Sequence, residues 1–527
     1  MAILTLPRSS PRRVWPGALL ALSLLPAPLM ASEGAGDLAS TTDPVSQGIV
    51  AFVIVALFVL LALEKAHRVL VAMACAAFLW MTTYLTPWTL ITFEASARAL
   101  DMNVLLLLAG MMTLVGILKE TGAFGWAVAR ILARTKGHPL WAARLISWFT
   151  AVASAFLDNV TTVIFVTPMA SGMAKRIGLA PVAILLPMVV ASNIGGTATL
   201  IGDPPNIMIG SGVGLSFMAF VINLTAPVLI MMVVLQFYMG RYYRKEYAAA
   251  RLLEPGPAEE VNLAEPVLFR WLMAIFAGVL LGFLTHSVTG MPAAVPAVVG
   301  AAAALIVQDW LYLRTHQPTA QERAHGILEV LEKDIEWPTL SFFVFLFIVV
   351  GAAVETGLIG SIATGMESAI FRVRDTFGLG TEGTLIFAAL LICWMSAVLS
   401  AFIDNIPYVA VSIPVIHHLI PSLEGDTVVL WWALSLGACL GGNATVVGAS
   451  ANVTAVGLAE KDDVRISFAE FARFGAPMAT ITIVISSLFL VGFVLMGHGW
   501  VHFVTWPLAI LALAVDRAWG SRIKREA

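Results

Sequence analysis

Ser154-Ala-Phe-Leu-Asp-Asn159 and Ser400-Ala-Phe-Ile-Asp-Asn405 are one motif written twice. Gly195-Gly-Thr-Ala-Thr-Leu-Ile-Gly-Asp-Pro-Pro-Asn206 likewise returns as Gly441-Gly-Asn-Ala-Thr-Val-Val-Gly-Ala-Ser-Ala-Asn452. The offset is 246 residues for both, so two motifs sit at fixed spacing inside a duplicated unit. Each copy sets carboxylates and amides in the middle of apolar sequence. In a membrane protein such paired, interrupted segments point to a substrate or ion site near the bilayer midplane.

Composition puts the chain in that class. Hydrophobic residues make up 59% and charged residues 12%, with a mean hydropathy of +0.90. A soluble domain carries about 25% charged residues. Many segments reach the roughly 20 apolar residues that a spanning helix needs. The net charge of −3 says little by itself, and no basic face offers a surface for nucleic acid; the partners expected are the lipid bilayer and small inorganic ions. Cys75, Cys393 and Cys439 lie far apart in apolar stretches and read as packing residues. There is no nucleophile–base pair and no metal-ligand spacing, so the chain reads as a non-enzyme without a cofactor.

Residues 1–31 read as a secretory signal, cleaved or retained as a first helix. Arg8, Arg12 and Arg13 precede a short apolar run at 17–25, and Leu29-Met-Ala31 has the form of a cleavage site. The remaining organisation is an exposed tail (32–46), N-terminal helices (47–100), repeat 1 (101–240), a cytoplasmic linker (241–266), scaffold helices (267–308), a cytoplasmic loop (309–337), repeat 2 (338–498), and a last helix with a cytoplasmic tail (499–527). The repeat extends upstream: Glu120-Thr-Gly122 matches Glu355-Thr-Gly357 at an offset of 235, so copy two has gained 11 residues, expected at 375–384.

Loop charge orients the copies. Arg130, Arg134, Lys136, Arg144, Lys175 and Arg176 follow the first-copy motifs, whereas 417–426 in copy two has no Lys or Arg. Cytoplasmic loops carry the Lys/Arg excess. Equivalent loops therefore face opposite sides, which is an inverted-topology repeat in a multi-pass inner-membrane protein with a cytoplasmic C-terminus. The trace closes only if each Asp-Asn span enters and leaves on one side, as a re-entrant hairpin. The Gly/Pro-rich stretches must break helices. The fold class expected is an all-α polytopic membrane protein with two re-entrant hairpins, two broken helices, and separate scaffold and transport parts.

Asp158 and Asp404 are the leading functional candidates. A carboxylate at membrane depth survives by binding a proton, pairing with a cation or lining water. Competition between proton and cation is a physical basis for exchanging one for the other. The same residues are good helix N-caps, and the two roles are compatible. Hard cations such as Na⁺ favour oxygen ligands; Asn159 and Asn405, beside the aspartates, would complete a sodium site with them. Thr161 and Thr162 accompany only the first tip, where copy two has Pro407-Tyr408. Asn193, Thr197, Thr199, Asn206, Asn443, Thr445 and Asn452 supply polar groups at the breaks, and Asp203, whose counterpart is Ala449, makes the first half more anionic. Glu120 and Glu355 at span ends read as interfacial carboxylates, His417-His418 as loop residues and the tryptophans as interfacial anchors.

These motifs resemble the ion transporter superfamily, in the branch of arsenite permeases and NhaD-type sodium/proton antiporters, and are closest to its P-protein-like members. The resemblance covers roughly residues 50–515. It implies hairpin tips at 158–162 and 404–407, breaks at 193–206 and 439–452, and a homodimer. Dicarboxylate carriers of the superfamily carry Ser-Asn-Thr at both tips, whereas both tips here read Asp-Asn. The leading expectation is therefore sodium or lithium exchange for protons. The alternatives are a permease for arsenite or for another anion or carboxylate, and a channel-like anion conductance.

Overall fold

The computed structural model describes residues 43–63, 65–250, 262–315 and 330–526. The expected signal segment, most of the tail, and the middles of the linker and of the cytoplasmic loop lie outside these residues. Every regular element among the described residues is helical, and ten helices are long and apolar enough to cross a membrane.

The chain opens with α1 (Pro44–Ala62) and α2 (Arg68–Leu85). Asp43 caps α1, accepting from the Val45 and Ser46 amides and the Ser46 hydroxyl; these bonds hold its carboxyl below the usual range. The short α3 (Phe93–Ala99) leads into α4 (Met102–Glu120). Repeat 1 continues through α5 (Ala123–Thr135), α6 (Pro139–Phe156), α7 (Asn159–Arg176), α8 (Val182–Gly196), α9 (Pro204–Val213) and α10 (Phe217–Tyr242). The linker holds α11 (Arg244–Ala249), followed by α12 (Pro266–Thr289) and α13 (Ala294–Thr315). Repeat 2 runs through α14 (Trp337–Glu355), α15 (Leu358–Phe377), α16 (Thr381–Ser400), α17 (Asn405–Leu419), α18 (Val429–Gly441), α19 (Ser450–Lys461) and α20 (Phe468–Met496). The last helix is α21 (His498–Glu526).

The two copies interleave. In the scaffold, α2 packs on α14 and α13 packs on α4, so the first helix of each repeat leans on a helix that precedes the other repeat. In the transport part, α6 packs on α8 and α16 on α18 within each copy. Across the copies, the hairpin helix α7 packs on α19, and α17 packs on α9. The Glu-Thr-Gly motifs are turns linking the parts. Gly122 and Gly357 have φ of +75° and +72°, a left-handed backbone that glycine adopts without a Cβ penalty. Thr121 and Thr356 turn their buried hydroxyls back onto the Leu118 and Ala352 carbonyls.

Three sequence expectations change. The 11 extra residues of copy two do not form a loop at 375–384. Seven lengthen α15 relative to α5, and four lengthen α16 ahead of Ser400 relative to α6 ahead of Ser154, because the tip motifs themselves align without a gap. Amphipathic helices absorb such length at an interface without disturbing the spans on either side. Arg144 is not a loop cation: it is buried, bonds Asp516 on α21 and lies 4.1 Å from the Trp519 ring centroid. Trp432 is not an interfacial anchor; it is fully buried, edge-on to Phe220 at 5.2 Å.

Close packing of α6 on α8 and of α16 on α18 depends on two equivalent glycines. A Cβ on Gly195 would strike the Ala151 backbone, and one on Gly441 would strike that of Ala397, 246 residues on from Ala151. Gly195→Val and Gly441→Val should each destabilise the protein by about 1–3 kcal/mol, read as a lower denaturation midpoint in detergent. Gly172→Ala on α7, where a Cβ meets open space, should leave the midpoint unchanged or raise it.

Candidate functional site

The first hairpin tip ends its helix in Ser-Ala-Phe156 and the second already at Ser400, and both restart on an aspartate. Asp158 caps α7: its Oδ2 accepts from the Thr161 amide and hydroxyl, both at 3.0 Å. Asp404 caps α17, accepting from the Ile406 amide at 3.0 Å, and its second oxygen accepts from the Ser450 hydroxyl. The capping reading of these residues therefore holds geometrically, and it leaves Asp158 Oδ1 buried without a partner.

The breaks follow a common plan. A helix that stops in apolar surroundings leaves backbone carbonyls open, and each must find a donor. The Asn206 amide donates to the carbonyls of Thr197 (3.1 Å) and Thr199 (2.9 Å). Asn452 donates to those of Gly442 and Thr445, both at 2.8 Å. The side-chain oxygens of these asparagines then face the opposite copy. Asn206 accepts from Ser435 at 2.6 Å and from the Cys439 thiol, and Asn452 accepts from Asn193 at 2.9 Å. Cys439 stands 246 residues from Asn193, so the two are counterparts in the pseudo-symmetry. Read from sequence as a packing residue, Cys439 belongs to the site; its repeat offset was the available signal.

Asparagines join the tips to the breaks. Asn159 donates to Asn193 (3.3 Å), which donates in turn to Asn443 (3.0 Å). Asp203 precedes α9, is buried, and has no hydrogen-bond partner for either oxygen. Its polar neighbours are the Cys439 thiol and the Asn405 side chain, and Asp158 and Asp404 lie within its electrostatic range. The N-termini of α7, α9, α17 and α19 therefore meet in one region. Of the fourteen residues singled out in the sequence, all are buried except Asp404, which is half-buried.

Not all of them have free ligating groups. The Thr199 and Thr445 hydroxyls donate to the Ala155 and Ala401 carbonyls, tying each break to its own hairpin, and Thr197 donates to Asn193 O. The oxygens left without partners are Asp158 Oδ1, Asn159 Oδ1, Thr162 Oγ1 and both of Asp203. Among the described residues no three His, Cys, Asp or Glu side chains converge to hold a metal ion; an alkali cation here would draw on neutral oxygens beside one or two carboxylates. His417 is exposed and lies 3.2 Å from the Gly212 carbonyl at the end of α9. Glu120 is exposed and accepts from Gln308.

The chain belongs to the citrate transporter family, whose model matches residues 58–437. An uncharacterized transporter of Mycobacterium tuberculosis (strain H37Rv) is 34% identical over 445 residues, which cover 83% of this chain and 96% of the relative. The P protein of Homo sapiens is 31% identical over 481 residues, 76% of this chain and 54% of that longer protein. The crystal structure of the Alcanivorax borkumensis YdaH transporter, described as having an unusual topology, shares the fold. Its TM-score is 0.56 at 13% identity, over 87% of this chain and 100% of that one. The protein is thus a multi-pass membrane transporter, as the motif resemblance implied.

Asn206→Ala and Asn452→Ala should each leave two break carbonyls without donors. A buried group so exposed costs about 1–3 kcal/mol, so both variants should lose folded yield and unfold at lower temperature. Asn→Asp should fail in the same way, because it keeps the oxygens and removes the donor.

Proposed function

We propose that the protein exchanges a monovalent cation, sodium or lithium, for protons, with Asp158, Asp203 and Asp404 as the exchanging carboxylates. The observation that carries this reading is the buried Asp203 carboxylate, whose polar neighbours are the neutral Cys439 and Asn405 and which lies within electrostatic range of the two tip aspartates. A buried carboxylate set among neutral groups and other carboxylates is stabilised by taking a proton or a cation.

Charge arithmetic supports the choice of cargo. Four helix N-termini bring about half a positive charge each, about +2 together. Three ionised aspartates bring −3. Arg68 and Glu336, both in range of Asp158, offset one another. About one negative charge remains, which one monovalent cation or one proton neutralises. Transport on this scheme alternates the two at the same oxygens. Asn159 and Thr162 add neutral acceptors on the first-copy side, so the two tips are chemically unequal.

A second reading is a permease for citrate or another carboxylate. The family description and the four N-termini favour it, since N-termini attract anions and protonated aspartates would leave them dominant. Assembly as a homodimer through α1–α2 and α12–α13, with the C-terminus in the cytoplasm, belongs to the same proposal. A native mass measurement in lipid checks the dimer.

The experiment is sodium-driven pH change in liposomes holding purified protein. Asp158→Asn, Asp203→Asn and Asp404→Asn keep shape and, at the tips, a capping oxygen. Each should cut sodium-driven proton flux at least about tenfold, since a unit charge close to an ion is worth more than about 1.4 kcal/mol even when well screened. Their elution as monodisperse protein would show the fold intact. Wild-type flux in all three variants would reject the exchange reading, and citrate uptake by the same vesicles would promote the second.

A further inference from the structure

Arg68 is the first residue of α2, where its backbone alone would place its charge at the helix end beside Lys65. Its guanidinium instead reaches across the boundary between scaffold and transport part. One nitrogen donates to Ser450 Oγ at 2.8 Å, at the first turn of α19. The other donates to Thr339 Oγ1 at 2.7 Å, at the first turn of α14. Each hydroxyl passes the interaction on to a carboxylate: Ser450 donates to Asp404, and Thr339 donates to Glu336 at 2.8 Å. Phe342 lies under the guanidinium, 5.7 Å from its carbon. One fork therefore holds two hydroxyls, one on each part, and only a planar guanidinium offers two donors in that geometry. Ser450 has Pro204 as its counterpart in copy one, so the arrangement exists on one side only. The other charged groups around it are Asp158 and Glu336, with Asp203 near Asp404.

We propose that Arg68 is a positioning residue of the ion site, which is held in orientation by Thr339 within the scaffold, acts on Asp404 and ties the transport part to the scaffold through Ser450, and opposes entry of the transported cation at Asp404. The opposition follows from charge: a cation on Asp404 draws that carboxylate away from Ser450 and repels the guanidinium behind it. Loading the site therefore weakens the tie, and unloading restores it. The competition half of this inference rests on the exchange reading above; the tie between the two parts does not.

The test has two arms on the full-length protein. Spin labels on Lys65→Cys, just ahead of α2, and Lys461→Cys, at the end of α19, report the distance between scaffold and transport part; both positions are exposed, and the natural cysteines are buried. Arg68→Gln, Ser450→Ala and Thr339→Val, on three different helices, should each shift the balance of distance populations about tenfold, the loss expected for one charge-assisted hydrogen bond. Arg68→Lys, which offers a point charge for a fork, should recover only part of the wild-type distribution. In the flux arm, Arg68→Gln and Ser450→Ala should lower the sodium KM and the maximal rate together, whereas Thr339→Val should lower the rate alone. Unchanged distances in both Arg68→Gln and Ser450→Ala would overturn the proposal, as would a sodium KM that stays or rises in Arg68→Gln. If wild-type protein shows no sodium-driven flux, the exchange reading fails by itself, and the distance arm still decides the role of Arg68.

Discussion

Two asparagine side chains carry the constraint on which everything else depends. Helices α8 and α18 stop inside apolar surroundings, where an open carbonyl costs several kcal/mol. Asn206 and Asn452 close four such carbonyls with two amide groups. Because side chains perform this from within, no solvent is needed at the breaks, and the N-termini of α9 and α19 are free to face the tips of the hairpins. Without these donors the chain would gain by restoring continuous helices, and the site would not exist. The same two residues turn their oxygens to the opposite copy, so closing a break and joining the copies are one act.

Pseudo-symmetry builds the frame, and departures from it supply the chemistry. Asn193 and Cys439 occupy equivalent places, but an amide can bond three asparagines at once where a thiol makes one long contact. Asp203 answers to Ala449, and Thr162 to Tyr408, whose hydroxyl pairs with Ser396 at 3.0 Å. Partnerless oxygens thus collect on residues of copy one. Copy two instead contributes Ser450, which spends its hydroxyl on Asp404. The two-fold arrangement has thereby become chemically unequal, and on the exchange proposed above it would give one ion one set of ligands.

The hairpins and breaks were legible in the sequence because they place Asp, Asn, Gly and Pro where hydrophobic periodicity demands otherwise, and because the copies repeat the fault at one spacing. The amphipathic α5 and α15 were not, since half-polar helices lying between spans look like loops in a hydropathy reading. Arg144 was misplaced for a reason that applies to Arg68 as well. Counting charge by loop treats a cation as sitting where its backbone does, whereas a long side chain carries its charge several ångströms inward to a partner remote in sequence. The hydroxyls of Thr199 and Thr445 looked like ligands by type, but their hydrogen-bonding partners, the Ala155 and Ala401 carbonyls, are a tertiary fact that no local pattern encodes.

The cross-packing of hairpin on opposite break has a mechanical consequence. With α7 against α19 and α17 against α9, neither tip can shift without carrying a break of the other copy. All the acceptor oxygens of the site therefore belong to one body and keep their mutual geometry wherever that body goes. The guanidinium nearest to them belongs to the other, on α2, which packs on α14 of the scaffold. Displacing the transport part against the scaffold would thus preserve the ligands and change their counter-charge. On the exchange proposed above, affinity would then differ between the two ends of the movement without any ligand being rebuilt. That difference is what an exchanger requires, because an ion must bind well on one side and leave easily on the other.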